Sequence, residues 1–324
     1  MTAATLDILG IGNAIVDVLA RAEDGFVAAQ GLPKGGMTLI DADRAQALYA
    51  AMGPGVESSG GSVANSCAVA AGLGARVGYL GKVAKDTLGE VFGHDIRAAG
   101  VSFPSAPLEG GAPTARCLIL VTPDAQRTMS TFLGACIHFT EADVDLAEVA
   151  RAQVVYLEGY LFSGAQEAFR TAARAAHAAG RKVALSLSDG FCVDMNRDAF
   201  RRFVREETDI LFANENEILS LYETQDFAAA AAQARTEVAI AALTRGEKGS
   251  VVVAGAASHT VPAVPTEVVD TTGAGDAYAA GFLAAHTRGL DLAEAGRWGS
   301  ICAAEVISHF GARPQADLRA LVGA

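Results

Sequence analysis

VVDTTGAGDAYAAGFLAAH (268–286) runs from a strand-like segment through a glycine-rich turn directly into an apolar helix. Gly273 and Gly275 have no Cβ, so the backbone can turn sharply there and present the amides of residues 273–276, that of Ala274 among them. Those amides sit at a helix N-terminus, where the macrodipole adds about half a positive charge. Such a turn binds an anion. Asp276 stands in the first turn of the same helix, where a carboxylate is structurally at home but is out of place beside a phosphate unless it has work there. A carboxylate next to a phosphate in transfer makes sense as the base that takes the proton of the attacking hydroxyl. Taken alone, the turn reads equally well as a packing turn with Asp276 as its cap, so the rest of the chain has to separate the two.

The strand–turn–helix unit recurs. Short Val-, Ile- and Leu-rich runs at 6–12, 75–81, 154–160, 182–188, 209–215 and 238–246 alternate with Ala-rich segments of helical period, including 164–179, 197–207, 275–287 and 292–309. Strands apolar on both faces and separated by helices predict an α/β fold: a mostly parallel sheet covered by helices on both faces, with ligands at the carboxyl ends of the strands. Two stretches break the alternation, 16–40 and TARCLILVTPDAQRTMSTFL (114–133), the second a hairpin around Pro123-Asp124. They predict a small β lid of residues 16–40 and 111–136. The large α/β domain is then 1–15, 41–110 and 137–324. A lid of this kind excludes water from reactive phosphates.

With 324 residues, 51% of them hydrophobic, the chain can bury a large core. Its 25 Lys and Arg against 37 Asp and Glu give a net charge of −12, which argues against extended contact with nucleic acid or anionic lipid. Cys67, Cys117, Cys136, Cys192 and Cys302 are scattered, with neither disulfide nor zinc spacing. The first residues lack a basic leader segment and meet Asp7 and Asp17 early, and no long uncharged apolar run follows. The expected location is the cytoplasm, as a monomer or homodimer.

DTTGAGD (270–276) resembles the second signature of the ribokinase and phosphofructokinase-B superfamily, and GGSVANSCAVAAGLGARVGYLGKVAKDTLGE (60–90) resembles its first, in the same order and at matching separation. Within that superfamily GIGNAIVDVLA (10–20), DAQRT (124–128) and DILFANENEI (209–218) resemble the corresponding segments of the adenosine kinases. The resemblance implies a ribokinase-like fold and an ATP-dependent kinase that phosphorylates the 5′-hydroxyl of a purine nucleoside, adenosine first. A ribose- or fructose-type sugar kinase of the same superfamily is the alternative. GIGN after the first strand is also a fragment of a dinucleotide fingerprint, but Ile15 stands where its third glycine is required.

Residue by residue, the resemblance assigns Asp276 as the base and the 273–275 turn as the phosphate cradle. Asn13 and Asp17 would hold the ribose, as would Gly61, Ser62 and Asn65 of the first signature. Asp17 suits a bidentate bond to a vicinal diol. Met37, Leu39 and Met129 would cover the base, in a lining more apolar than the adenosine kinase pattern, with Met37 in place of an amide side chain and Leu161 near an expected aromatic position. Arg127 matches a lid arginine that reaches the phosphates. Asn214 and Glu217 match an N-x-x-E motif that organises Mg²⁺ and phosphate largely through water. Thr244, Arg245 and Gly246 match a stretch beside the nucleotide phosphates. The resemblance further implies K⁺, held mostly by backbone carbonyls near Asp270 and Thr272. SLSDGFCVDMNRDAF (186–200) yields no role.

Overall fold

The apolar runs become strands, and the structure, a computed structural model describing residues 4–124 and 126–324, places them in two sheets. In chain order the strands are β1 (Leu6–Ile11), β2 (Ile15–Arg21), β3 (Met37–Leu39), β4 (Gly55–Gly60), β5 (Val77–Leu80), β6 (Val101–Ser102), β7 (Ala115–Val121), β8 (Arg127–Phe132), β9 (Ala152–Glu158), β10 (Lys182–Ser186), β11 (Ile210–Asn214), β12 (Ile240–Thr244), β13 (Ser250–Ala254) and β14 (Ala257–Val261). The helices are α1 (Asp24–Ala29), α2 (Ala42–Ala51), α3 (Ser62–Gly72), α4 (Thr87–Ala98), α5 (Leu146–Arg151), α6 (Gly159–Ala178), α7 (Gly190–Glu207), α8 (Glu215–Tyr222), α9 (Phe227–Glu237), α10 (Ala274–His286), α11 (Leu292–Ile307) and α12 (Leu318–Val322). Ala125, within DAQRT, lies outside the described residues. Among the described residues no helix is long and apolar enough to cross a membrane.

The larger sheet has the order β14-β13-β12-β11-β10-β9-β1-β5-β6. Neighbours from β12 to β6 are parallel, and β13 and β14 add an antiparallel edge. Successive side chains of a strand point to opposite faces, and β1 shows the consequence. Ile8 joins a core with Tyr79, Tyr156, Phe212 and, from α10 and α11, Phe282 and Trp298. Leu9 and Ile11 join the other core with Leu157, Phe162 and Phe169 of α6 and Phe200 and Phe203 of α7, where Phe162 stacks on Phe200 at 4.2 Å between centroids. With helices on both sides, strands apolar throughout are what the sheet requires.

Helix α6 starts at residue 159 rather than 164 and is kinked at Ala165; at its first residue an ideal Cβ on Gly159 would come within 2.6 Å of the Ser186 and Leu187 carbonyls. Helix α7 likewise starts at Gly190, with Asn196 at a kink, so most of the 186–200 segment is helix.

The smaller sheet has the order β3-β8-β7-β2-β4. Here the expected boundaries need correction: residues 55–60, assigned to the large domain, form β4 and pair antiparallel with β2 from Ile15↔Gly60 to Ala20↔Gly55. GVESSG has too little apolar alternation to read as a strand, and it forms one because β2 offers it a free edge of hydrogen-bonding groups. Directly paired residues share a face. Asp17 is level with Cys117, Cys117 with Thr131, and Thr131 with Leu39; one step along, Leu19, Ile119, Met129 and Met37 form a second row. The opposite face carries Val16, Val18 and Leu118, which pack with Leu48 of α2 in the first core.

Helix α10, which begins at the glycine-rich turn, is seated on α11 by two backbone approaches. An ideal Cβ on Gly281 would come within 2.6 Å of the Trp298 carbonyl oxygen, and one on Gly299 within 2.8 Å of that of Tyr278. Gly281→Ala is therefore expected to force the helices apart and destabilise the fold by about 1–3 kcal/mol, the cost of overpacking a tight core. Urea unfolding checks this, and a midpoint equal to that of the unsubstituted protein would rule it out.

Candidate active site

The carboxyl ends of β1, β9, β10, β11 and β12 deliver Asn13, Glu158, Ser188, Asn214 and Thr244 to one edge of the sheet, below the small sheet. The N-terminus of α10 closes this edge. Its N-cap, Gly273, is left-handed at φ 78°, and an added Cβ would also meet the Cβ of Ala312 at 2.7 Å. The turn leaves the amides of Gly275 and Asp276 at the open end of the helix, as the anion cradle requires.

The two signatures meet at Asp276. Ser62, in the first turn of α3, donates its hydroxyl to Asp276 Oδ1 at 2.5 Å across 214 residues of chain, and Ser66 Oγ donates to the Asp276 carbonyl at 3.0 Å. Burial pushes the Asp276 carboxyl up to about 6, against the hydrogen bonds of Ser62 and Asn65 and the charge of Arg313. A carboxylate in that range is ionised at neutral pH yet retains proton affinity, as a general base needs.

Asp17 is likewise pushed up to about 6 by burial, with Arg313 and Arg127 opposing. Its carboxylate occupies the space a Cβ on Gly60 would fill. Gly61, at φ 98°, lies so close to the Asn13 carbonyl that no side chain fits. The structure thus brings Asn13, Asp17, Gly61, Ser62, Asn65 and Asp276 together. Met37 and Leu39 are 54% and 57% exposed on the same face of the small sheet as Asp17, with Met129 directly beside Met37.

Arg127 reaches down from β8 and forms a buried ion pair with Asp270, which also accepts the Thr272 amide at 3.0 Å and the Gly311 amide at 3.1 Å. Burial works against the charge of Asp270, but these amides and Arg127 hold its pKa below the ordinary carboxylate range. Arg127 thus lies beside the glycine-rich turn, bound to a carboxylate.

The predicted nucleotide residues are more occupied with one another. Asn214 and Glu217 form a reciprocal capping box: the Asn214 amide donates to Glu217 Oε2 at 2.9 Å, and the Glu217 amide to Asn214 Oδ1 at 2.9 Å. Glu217 is pushed up to about 7 by burial, with Asp189 and Asp276 adding repulsion. Arg245 is turned to Glu215 at 2.6 Å and lies 4.0 Å over the Phe227 ring, while Thr244 ends β12 and Gly246 takes a left-handed turn at φ 57°. Among the described residues no three His, Cys, Asp or Glu side chains converge as metal ligands.

Three further residues at the candidate site escape sequence reasoning. Glu158 is buried at the end of β9 and accepts hydrogen bonds from Asn13 and Val63. Arg313, in the tail after α11, donates to the Ser59 carbonyl at 2.6 Å and the Ser59 hydroxyl at 2.9 Å, and has no carboxylate within ion-pairing distance among the described residues. Asp189, the N-cap of α7, borders Glu217 and Tyr160 electrostatically, which brings the 186–200 segment to the rim of the site. A lone carboxylate ending an apolar strand was the one available signal for Glu158; a single tail arginine offers none.

The family described as pfkB family carbohydrate kinase matches residues 31–318. Among solved structures, an adenosine kinase from Sinorhizobium meliloti is 50% identical with a TM-score of 0.89, covering 98% of each chain. A probable sugar kinase from Rhizobium etli is 44% identical with a TM-score of 0.91, covering 99% of this chain and 98% of that one. The adenosine kinase of Saccharomyces cerevisiae is 28% identical over 91% of this chain and 93% of its own. The chain therefore belongs to the pfkB family of carbohydrate kinases, and it is an ATP-dependent phosphotransferase that acts on a hydroxyl.

Proposed function

We propose that the chain transfers the γ-phosphoryl group of ATP to the 5′-hydroxyl of a purine nucleoside in the cytoplasm, with adenosine the preferred acceptor and AMP the product. The observation that carries the acceptor is the shared face of the small sheet. Asp17 there suits vicinal hydroxyls, while exposed Met37 and Leu39 and half-buried Met129 offer a flat base an apolar, adaptable cover. A free hexose would leave hydroxyls unpaired against the same side chains. The likeness to a Sinorhizobium adenosine kinase supports this reading, and the likeness to a probable sugar kinase makes a sugar acceptor the second one.

In the proposed reaction the acceptor oxygen bonds to the γ-phosphorus in line as its proton passes to Asp276, and the bond to the β–γ bridging oxygen breaks to release ADP. The amides at the α10 N-terminus and Arg127 meet the charge on the transferring group, Arg127 exchanging Asp270 for phosphate as it does so. Mg²⁺ supplies charge neutralisation on the nucleotide phosphates; Glu217, buried and repelled by neighbouring carboxylates, fits beside such a cation, with Asn214 orienting it. The family resemblance implies K⁺, which backbone carbonyls near Asp270 and Thr272 would hold; the Asp270 carboxylate itself is engaged by the Thr272 and Gly311 amides.

Asp276→Asn keeps the shape and removes the base, so kcat is expected to fall about 10²-fold or more while acceptor Kd by calorimetry changes little. Near-normal turnover by the pure variant would refute the assignment. In the intact protein kcat at saturating acceptor should fall as pH drops through about 6, the region where Asp276 gains its proton. Arg313→Met removes a charge that favours the ionised form, so this acid limb should move to higher pH, by roughly half a unit to one unit; a limb that stays put or moves down contradicts the electrostatic role. On a panel of nucleosides and sugars, adenosine is expected to give the highest kcat/KM, and a higher value for free ribose or fructose would select the sugar-kinase reading.

A further inference from the structure

We infer that Glu158 is a positioning residue for the acceptor: its carboxylate locks the Asn13 side-chain amide so that Oδ1 accepts a hydrogen bond from an acceptor hydroxyl. The inference rests on the reading of this cleft as the acceptor site. Glu158 is 1% exposed and Asn13 3% exposed. Glu158 Oε1 accepts the Asn13 Nδ2 donor at 2.7 Å and the Asn13 backbone amide at 3.2 Å, and Oε2 accepts the Val63 amide at 3.0 Å. An ionised carboxylate can only accept, so it fixes which end of the Asn13 amide faces it and turns Oδ1 away. Asn13 Oδ1 is buried and has no hydrogen-bond partner. A buried acceptor is rarely left so, and here it stands between β1 and Asp17 at the acceptor cleft.

The same carboxylate reaches the chemistry by a second route. Val63 follows Ser62, the donor to Asp276, so Glu158 ties Asn13 to the α3 turn that holds the base. The chain is fitted closely around it: a Cβ on Gly12 would collide with the Glu158 carboxylate.

Burial pushes Glu158 up to about 7, with the Val63 and Asn13 donors opposing and Asp276 adding to the rise. Of the titratable groups that face it, Cys67, Tyr79, Cys136, Tyr156, Tyr160 and Cys192 are themselves pushed up and remain neutral, which leaves Asp276 as the charged neighbour. A protonated Glu158 would set its own O–H against the Asn13 or Val63 donors. Protonation therefore releases Asn13.

Glu158→Gln is isosteric but carries a donor on one side. With its oxygen on Val63, its amide group drives Asn13 to flip and present a donor instead of an acceptor. The exchange variant Asn13→Asp with Glu158→Gln reverses donor and acceptor and again leaves an oxygen facing the cleft. The test is steady-state kinetics on adenosine and its 2′- and 3′-deoxy analogues, using the unsubstituted enzyme, Glu158→Gln, Asn13→Ala, their double variant and the exchange variant.

The unsubstituted enzyme should prefer adenosine over at least one deoxy analogue by about tenfold or more in kcat/KM. Glu158→Gln should reduce that preference to the level of Asn13→Ala, the double variant should lose no more, and the exchange variant should regain most of it. KM for ATP should stay the same throughout. KM for adenosine should rise in the unsubstituted enzyme as pH falls through about 7 and be flat across that range in Glu158→Gln. Retained preference in Glu158→Gln, or losses that multiply in the double variant, would overturn the inference. If Glu158→Gln alone fails to fold, the exchange variant decides by regaining or lacking the preference. Should adenosine prove not to be a substrate, the same cycle on the best acceptor of the panel and its deoxy forms still decides the role of Glu158, separately from the nucleoside reading.

Discussion

The rest of the site is arranged around one hydrogen bond, from Ser62 Oγ to Asp276 Oδ1. It joins the first turn of α3 to the first turn of α10, and both helices begin at a glycine with positive φ, Gly61 and Gly273. Two helix N-termini therefore converge on one carboxylate. Their partial positive charge favours the ionised form of a group that burial would otherwise neutralise. The tight seating of α10 on α11 through Gly281 and Gly299 keeps that convergence in place.

Much of this was legible in the chain because it is local. The GAGD turn, the alternation of apolar strands with helices and the hairpin at 114–133 each depend on neighbours a few residues away. Asn214 and Glu217 were legible twice over, since the N-x-x-E spacing that suits a nucleotide site is also the spacing of a capping box, and the structure forms that box. What stayed hidden depends on distant partners. β4 is a strand only because β2 lies beside it, Glu158 matters only once β9 is next to β1, and Arg313 acquires a role only when the tail folds under Ser59. The role of Asp189 and its segment required α7 to be placed against α8.

The electrostatics of the site follow first from burial and second from having more carboxylates than cations. Asp17, Glu158, Glu217 and Asp276 all have raised pKa values, and each is buried near another acid. A nucleotide triphosphate entering this region needs compensating charge, and the chain holds two guanidinium groups close by. Arg313 is held by Ser59 without an acidic contact, whereas Arg127 is already paired with Asp270. The proposed binding of phosphate by Arg127 would thus be an exchange of one anion for another, which lowers the net gain from the contact but keeps the arginine oriented before nucleotide arrives.

The chain passes from the large sheet to the small one through very short connections at the site itself. Gly12, Asn13 and Ala14 are the whole link between β1 and β2, and Gly61 alone separates β4 from α3. A rotation of the small sheet against the large one would be absorbed in part at these residues, two of which line the proposed acceptor cleft. The acceptor would then sit on the axle of the lid rather than under its rim, so that filling the cleft stiffens the joint on which closure turns.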